Sequence, residues 1–177
     1  MTIPDIDPGI SQRDVDRAVR AYVAAGSGLP SQRVIPGNSP GPSPAEPYAS
    51  ALLVSSKREG HAWRRNEPGP TIIVSTVSSF AVVYLVQWYR AGAHETAARF
   101  RLWAESPGGL EAARFHGLSY SQTTDVMQVD DLISEEWEER AGLYLTMGHY
   151  RTMTQDAGII NAVPLRVNDG PQELIER

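Results

Sequence analysis

Phe80-Ala81-Val82-Val83-Tyr84-Leu85-Val86-Gln87-Trp88 decides how the rest of this sequence is read. In an extended chain Phe80, Val82, Tyr84, Val86 and Trp88 share one side, and Ala81, Val83 and Leu85 share the other. Both sides are apolar, which is the pattern of a strand covered on both faces. The wider run from Ile72 to Trp88 is broken by Ser75, Thr76, Ser78, Ser79 and Gln87. It is too short and too β-branched for a membrane helix. As one strand, Thr71 to Tyr89 would span about 60 Å. Few strands are so long, so a break or bulge is expected near Ser78–Ser79.

Before this stretch, Tyr48 to Lys57 reads as a second strand. Arg58 to Pro70 reads as a polar turn region punctuated by Gly60, Pro68, Gly69 and Pro70. Further back, Val15, Ala18, Val19, Tyr22 and Val23 form one apolar stripe and predict a helix over residues 11–25. Ser11 is its N-cap, Asp14 can answer as in a capping box, and Gly26 and Gly28 end it. Between helix and strand, residues 26–47 hold six prolines and four glycines. Ten breakers in 22 residues predict either a flexible loop or an arm that orders against a partner.

After the long strand, Gly92 to Glu105 reads as a helix with Ala93, Ala97, Phe100 and Ala104 on one face and Trp103 beside them. Pro107, Gly108 and Gly109 are read as its stop, and Leu110 to Phe115 as a short helical turn. Val126 to Val129 is a candidate short strand. Over Glu136 to Arg151, Ala141, Leu143, Leu145 and Met147 alternate with Arg140, Tyr144, Thr146 and Tyr150, the period of a half-buried strand. The last residues offer one apolar run, Ile159 to Val167, and then a polar tail. Strands interrupted by an inserted helical segment predict an α+β domain, with a mostly antiparallel sheet and helices packed on one face. A single domain over residues 1–177 is expected, with a Pro/Gly-rich arm at 26–47 and a C-terminal extension at about 154–177.

Composition closes off several functions. A chain of 177 residues that is 41% hydrophobic and 21% charged suits a globular protein that folds without staples. It has no cysteine, which excludes disulfides, thiolate zinc sites, iron–sulfur clusters and thiol catalysis. The net charge of −5 gives no general attraction to phosphate backbones. Met1 to Gly9 carries prolines and aspartates where a secretory leader would be basic and then apolar, so a soluble protein of a reducing compartment is expected.

No catalytic constellation assembles. His61, His94, His116 and His149 lie in separate segments. His94-Glu95 begins like a zinc-protease helix, but Ala98 stands where the second histidine belongs. His149 falls on the Leu143 side of its strand and reads as a packed or interface residue. Gly26-Ser27-Gly28 and Gly108-Gly109 lack the strand–turn–helix setting that phosphate binding needs. Asp130-Asp131 and Glu135, Glu136, Glu138 and Glu139 could serve acid–base work or a hard cation, but charge runs beside a strand are chiefly solvated faces or partner contacts. Lys57, Arg58, Arg64 and Arg65 flank Trp63 in the expected turn, which equally suits nucleic acid or an acidic neighbour. No cofactor and no metal are expected.

Two segments carry a resemblance. Gly41-Pro42-Ser43-Pro44-Ala45-Glu46-Pro47-Tyr48-Ala49 leads into one strand, and Trp137-Glu138-Glu139-Arg140-Ala141-Gly142-Leu143-Tyr144-Leu145-Thr146 opens another. In this order, with a helix before and a long strand and helix between, they resemble the neck or tail terminator proteins of tailed bacteriophages over residues 11–153. The resemblance implies a small α+β protein without catalytic activity. It implies a six-membered ring that caps the tail tube at the head–tail junction of the virion and is assembled in the bacterial cytoplasm. Its implied partners are further copies of itself, the tail tube protein and a head connector or head-closure protein. No membrane and no sequence-specific nucleic acid are implied, although DNA would pass through the ring. On this reading Pro44 and Pro47 hold the arm extended into the strand begun by Tyr48. Trp137 anchors the later strand, and Glu138, Glu139 and Arg140 are candidates for charge pairing with neighbouring subunits or tube rings. The alternatives are another head–tail joining component, a head-closure or tail-tube protein, or a small hydrolase using the carboxylates of residues 130–139.

Overall fold

A computed structural model describes residues 11–40, 42–67, 73–133, 136–156, 162–165 and 173–176. Gly41 of the first motif, the Pro68-Gly69-Pro70 turn, Glu135 and residues 157–161 lie outside the described residues. Among the described residues the α-helices are α1 (Gln12–Ser27), α2 (Ala93–Ala104) and α3 (Pro107–Phe115). The strands are β1 (Val34–Pro36), β2 (Tyr48–Glu67), β3 (Ile73–Tyr89), β4 (Ser119–Thr123), β5 (Met127–Gln128), β6 (Asp131–Ile133), β7 (Glu136–Glu138), β8 (Arg140–Asp156), β9 (Ala162–Leu165) and β10 (Glu173–Glu176). The chain falls into two compact units, a larger one of Ile10–His61 and Ser78–Arg151 and a smaller one that includes Ala62–Val77 and the described residues from 152 on. Within the smaller unit β9 and β10 pair antiparallel, Leu165 opposite Glu173 and Ala162 opposite Glu176. The polar tail expected from sequence therefore contains a strand.

The larger unit is α+β, with a mostly antiparallel sheet. Strand order is β1-β2-β3-β8-β4, and β5 also pairs with β8. β1 is the parallel exception and meets β2 only at Ala49, Ser50 and Ala51. One face of the sheet is the core: Val82, Tyr84, Val86 and Trp88 of β3 lie with Ala141, Leu143, Leu145 and Met147 of β8. All three helices cover that face, contributing Val15, Val19, Tyr22 and Val23 from α1, Ala97 and Phe100 from α2 and Ala113 from α3. Each fully buried Val, Leu or Phe stabilises by about 1.5–3 kcal/mol, so this two-layer packing dominates the fold. The second face of β3 is half-buried rather than fully covered, as Ala81, Val83 and Leu85 show.

Local chemistry explains the elements. Ser11 Oγ accepts from the Asp14 backbone N–H at 3.3 Å, and its hydroxyl donates to Asp14 Oδ2 at 2.6 Å. Asp14 thus answers the cap through the hydroxyl, and that hydrogen bond holds its carboxyl below the usual range. At the other end Gly28 takes the left-handed conformation that stops the helix (φ 69°). The buried Trp88 indole N–H donates to Ser27 Oγ at 2.8 Å, joining helix end to sheet.

Three expectations need correction. Arg58–Glu67 is strand, not turn, because β3 lies alongside and pairs its backbone; Gly60 absorbs a left-handed kink within β2 (φ 65°). Lys57, Arg58, Trp63, Arg64 and Arg65 therefore sit on a strand. β3 runs unbroken past Ser78–Ser79, since the still longer β2 flanks it. Pro107-Gly108-Gly109 opens a helix rather than ending one: Ser106 Oγ accepts from Gly109 N–H at 3.2 Å, and Pro107 at the first position loses no needed donor. The arm at 26–47 holds the end of α1, a 3-10 turn at Ser31–Arg33 and β1, and an ion pair between Arg33 and Glu46 spans it.

Candidate functional site

Arg90, the residue just after β3, joins the two sequence motifs. Its backbone is left-handed (φ 79°), unusual for a side chain with a Cβ, and its N–H donates to the Glu139 carbonyl at 3.0 Å. From there the guanidinium reaches both ways. One nitrogen meets Glu138 Oε1 at 3.0 Å, and another donates to the Pro44 carbonyl at 3.2 Å.

Glu138 is the buried centre, its side chain only 8% exposed. Its second oxygen accepts from Arg140 Nε at 2.7 Å. Arg140 in turn lies over the Tyr89 ring, 5.3 Å from its centroid, and Tyr89 stacks face to face on Tyr48 at 4.5 Å. A carboxylate between two guanidiniums is stable out of water only because both its oxygens are paired. Glu139 has a separate task. Its carboxylate accepts from Gly92 N–H at 2.7 Å and His94 N–H at 2.9 Å, capping α2, whose own N-cap glycine has no side chain to offer. Beside it Asp130 accepts from the Arg140 N–H at 3.0 Å, and that bond holds its carboxyl below the usual range.

Of the residues singled out from sequence, Pro44, Tyr48, Glu138, Glu139 and Arg140 are thus brought into one intramolecular cluster. Pro47 is exposed one residue before it. Trp137 is not part of the cluster. It stands 75% exposed on β7, which among the described strands pairs with β6 alone, apart from the main sheet. Sequence reasoning missed Arg90 and Tyr89, for which the pattern offers no signal beyond a basic residue at a strand end.

Two open grooves flank Pro36 and Gly37. One, of about 350 Å³, lies between the arm and the sheet and is lined by Pro42, Pro44, Tyr48, Tyr89 and Arg140 among others. The second, of about 590 Å³, is bounded by α1 and β2. In the second the Tyr84 hydroxyl donates to Asp16 Oδ1. Among the described residues no three His, Asp or Glu side chains lie close enough to hold a metal ion. The described carboxylates a hydrolase would draw on, Asp130, Glu138 and Glu139, are engaged by backbone N–H groups or arginines. Among the described residues no helix is long and apolar enough to cross a membrane.

His149 is buried on the Leu143 side of β8, stacked on Phe80 at 5.5 Å, and among the described residues neither ring nitrogen has a hydrogen-bond partner. Burial pushes its imidazole below the usual value, and the nearby Arg151 adds to that. Large apolar side chains are exposed on both layers: Leu102 and Phe115 on α2 and α3, Tyr144 and Tyr150 on β8.

A family model described as phage neck terminator protein matches residues 13–170, which includes both motifs and continues beyond the 11–153 of the resemblance. No curated protein matches the chain.

Proposed function

From the premise that this chain belongs to the phage neck terminator family, structural proteins of the virion's head–tail junction that meet other head and tail proteins, we propose that it closes the tail as a ring. Six copies would surround the passage for DNA, cap the tail tube on one side and receive the head connector or head-closure protein on the other, after assembly in the bacterial cytoplasm.

The observation that carries this reading is the exposure of large apolar side chains on two different layers, Leu102 and Phe115 on the helices and Tyr144 and Tyr150 on the sheet. A ring needs two unlike surfaces on each subunit, since its contacts are head-to-tail and close by rotation. Exposed apolar groups on opposite layers supply such surfaces. Trp137 is the contact residue among the motif positions. Pro47 is exposed as well, while Pro44, Tyr48, Glu138, Glu139 and Arg140 act behind, holding arm, sheet and hairpin in one shape.

Electron microscopy of the purified protein, alone and mixed with tail tubes, tests the proposal. Rings, or caps on tube ends, are expected. A strictly monomeric protein without affinity for tubes would overturn it, and open-ended polymerisation into tubes would favour a tail-tube role instead.

A further inference from the structure

We propose that the main sheet continues from one copy into the next, the outer margin of β4 in one subunit pairing with the outer margin of β2 in its neighbour, an inference that rests on the ring reading. Both margins are free among the described strands. β1 covers β2 only at Ala49–Ala51, where the Gly37 N–H donates to the Ala51 carbonyl at 2.9 Å. From Leu52 to His61 no described strand lies outside β2, and at the far border of the sheet none lies outside β4. A row of unpaired N–H and C=O groups on a sheet edge is a template for a further strand. β4 reads Ser119-Tyr120-Ser121-Gln122-Thr123, without the lysine or proline that would blunt such an edge.

Strand direction fits joining by rotation. Tyr48, first in β2, stacks on Tyr89, last in β3. The Arg90 N–H after β3 donates to the Glu139 carbonyl just before β8, and β4 pairs antiparallel with β8. β2, β3, β8 and β4 therefore alternate, and the two border strands point opposite ways. A copy rotated about an axis along the strands brings its β4 antiparallel to the first copy's β2, so the alternation runs on through the contact. The two margins are unlike, which makes the contact head-to-tail, and repeated rotation closes it. The register shift at Ser121 on β4 adds the local twist found at the rims of closed sheets. Charge favours a second copy as the partner. Lys57 and Arg58 stand on the β2 margin against Glu59 alone. Asp125 and Asp130 bracket β5 on the β4 side of β8, Arg101 offsetting the first at 2.8 Å. One border is net basic and the other net acidic, in a chain whose copies otherwise repel at −5.

The chain has no cysteine, so introduced thiols report this contact alone. Full-length variants carry one cysteine on each margin, Ser55→Cys or Ser56→Cys with Ser121→Cys or Gln122→Cys, and are oxidised under assembly conditions, alone and with tail tubes. Facing Cβ atoms in paired strands lie near disulfide distance. At least one pairing should give a ladder of up to six linked chains on a non-reducing gel, and single-cysteine variants should give none. Ser55→Pro tests the backbone itself. The Ala51 carbonyl points outward, so by strand period the Ser55 N–H does too, and proline there removes an outward donor while the pairing with β3 is kept. Assembly, read by mass photometry, should weaken at least about tenfold with the melting temperature unchanged. If Ser55→Pro fails to fold, Lys57→Glu with Arg58→Glu replaces it, and assembly should weaken by a similar factor because the two borders then repel. Full assembly in these variants, or assembly lost without a ladder from any pairing, would overturn the edge contact and leave the ring reading intact. Cross-linked dimers from Ser55→Cys alone would mean that β2 meets β2 and also overturn it. If the unmodified protein neither forms rings nor caps tubes, both fall together.

Discussion

Replacing Glu138 by glutamine keeps the shape of the side chain and removes its charge, so it isolates the worth of the Arg90–Glu138–Arg140 cluster. Breaking a fully buried ion pair costs about 3–5 kcal/mol, because the surviving charge is left unpaired out of water. Here Glu138 is buried, but the Arg90 and Arg140 side chains are 37% and 23% exposed, so water takes up part of their charge. A loss of about 2–3 kcal/mol is therefore expected for Glu138→Gln. At about 2–4 °C per kcal/mol for a chain of this size, the melting temperature should fall by about 4–12 °C. Differential scanning calorimetry or urea unfolding measures it. A double-mutant cycle with Arg90→Gln should return a coupling of about 1–3 kcal/mol, since the two side chains touch at 3.0 Å. A melting temperature within about 1 °C of the unmodified protein, or no coupling, would refute the view that this carboxylate ties the two motif segments together.

Three further outcomes follow from the packing. Ser27→Ala strands the Trp88 indole N–H in the core and should cost about 1–3 kcal/mol by chemical denaturation; an unchanged midpoint would mean that the bond contributes nothing. Gly109→Ala sets a Cβ 2.2 Å from the Trp103 carbonyl and 2.9 Å from Ala104 Cα, backbone atoms that cannot swing aside, so a loss of about 3 kcal/mol is expected, and a neutral result would contradict the α2–α3 geometry. His149 is held neutral by burial, below its ordinary value of 6.5. The unfolded chain then binds a proton that the native state resists, so stability is full above about pH 6.5 and declines as pH falls below it. His149→Phe should remove this part of the acid sensitivity in melts taken at several pH values, and an unaltered pH profile would refute the assignment.

The long elements were legible because burial imposes a period on them. Val15 to Val23 had to line one side of α1, and Leu143, Leu145 and Met147 alternate because only one face of β8 meets the helices. Where no face is buried, that signal vanishes. Residues 58–64 of β2 are exposed throughout and read as a turn, although pairing with β3 keeps them extended. Short strands such as β1, β4 and β6 are too brief to show a repeat and exist by virtue of their neighbours. Pro107-Gly108-Gly109 reads equally as stop or start, and only the serine before it, capping at Gly109, decides. The motif residues stood out in sequence, but their shared centre did not. Arg90 binds Pro44 and Glu138 from a position that is adjacent to them only after folding.

The brevity of β1 bears on life before the virion is built. Because it covers β2 only at Ala49–Ala51, no described strand occupies the outer margin of β2 from Leu52 onward. Such a margin invites any extended chain to add to it, and newly made copies in a crowded cell would be prone to stick edge to edge. Lys57, Arg58 and Glu59 sit midway along it, and charge there discourages indiscriminate stacking while the pool waits for its turn.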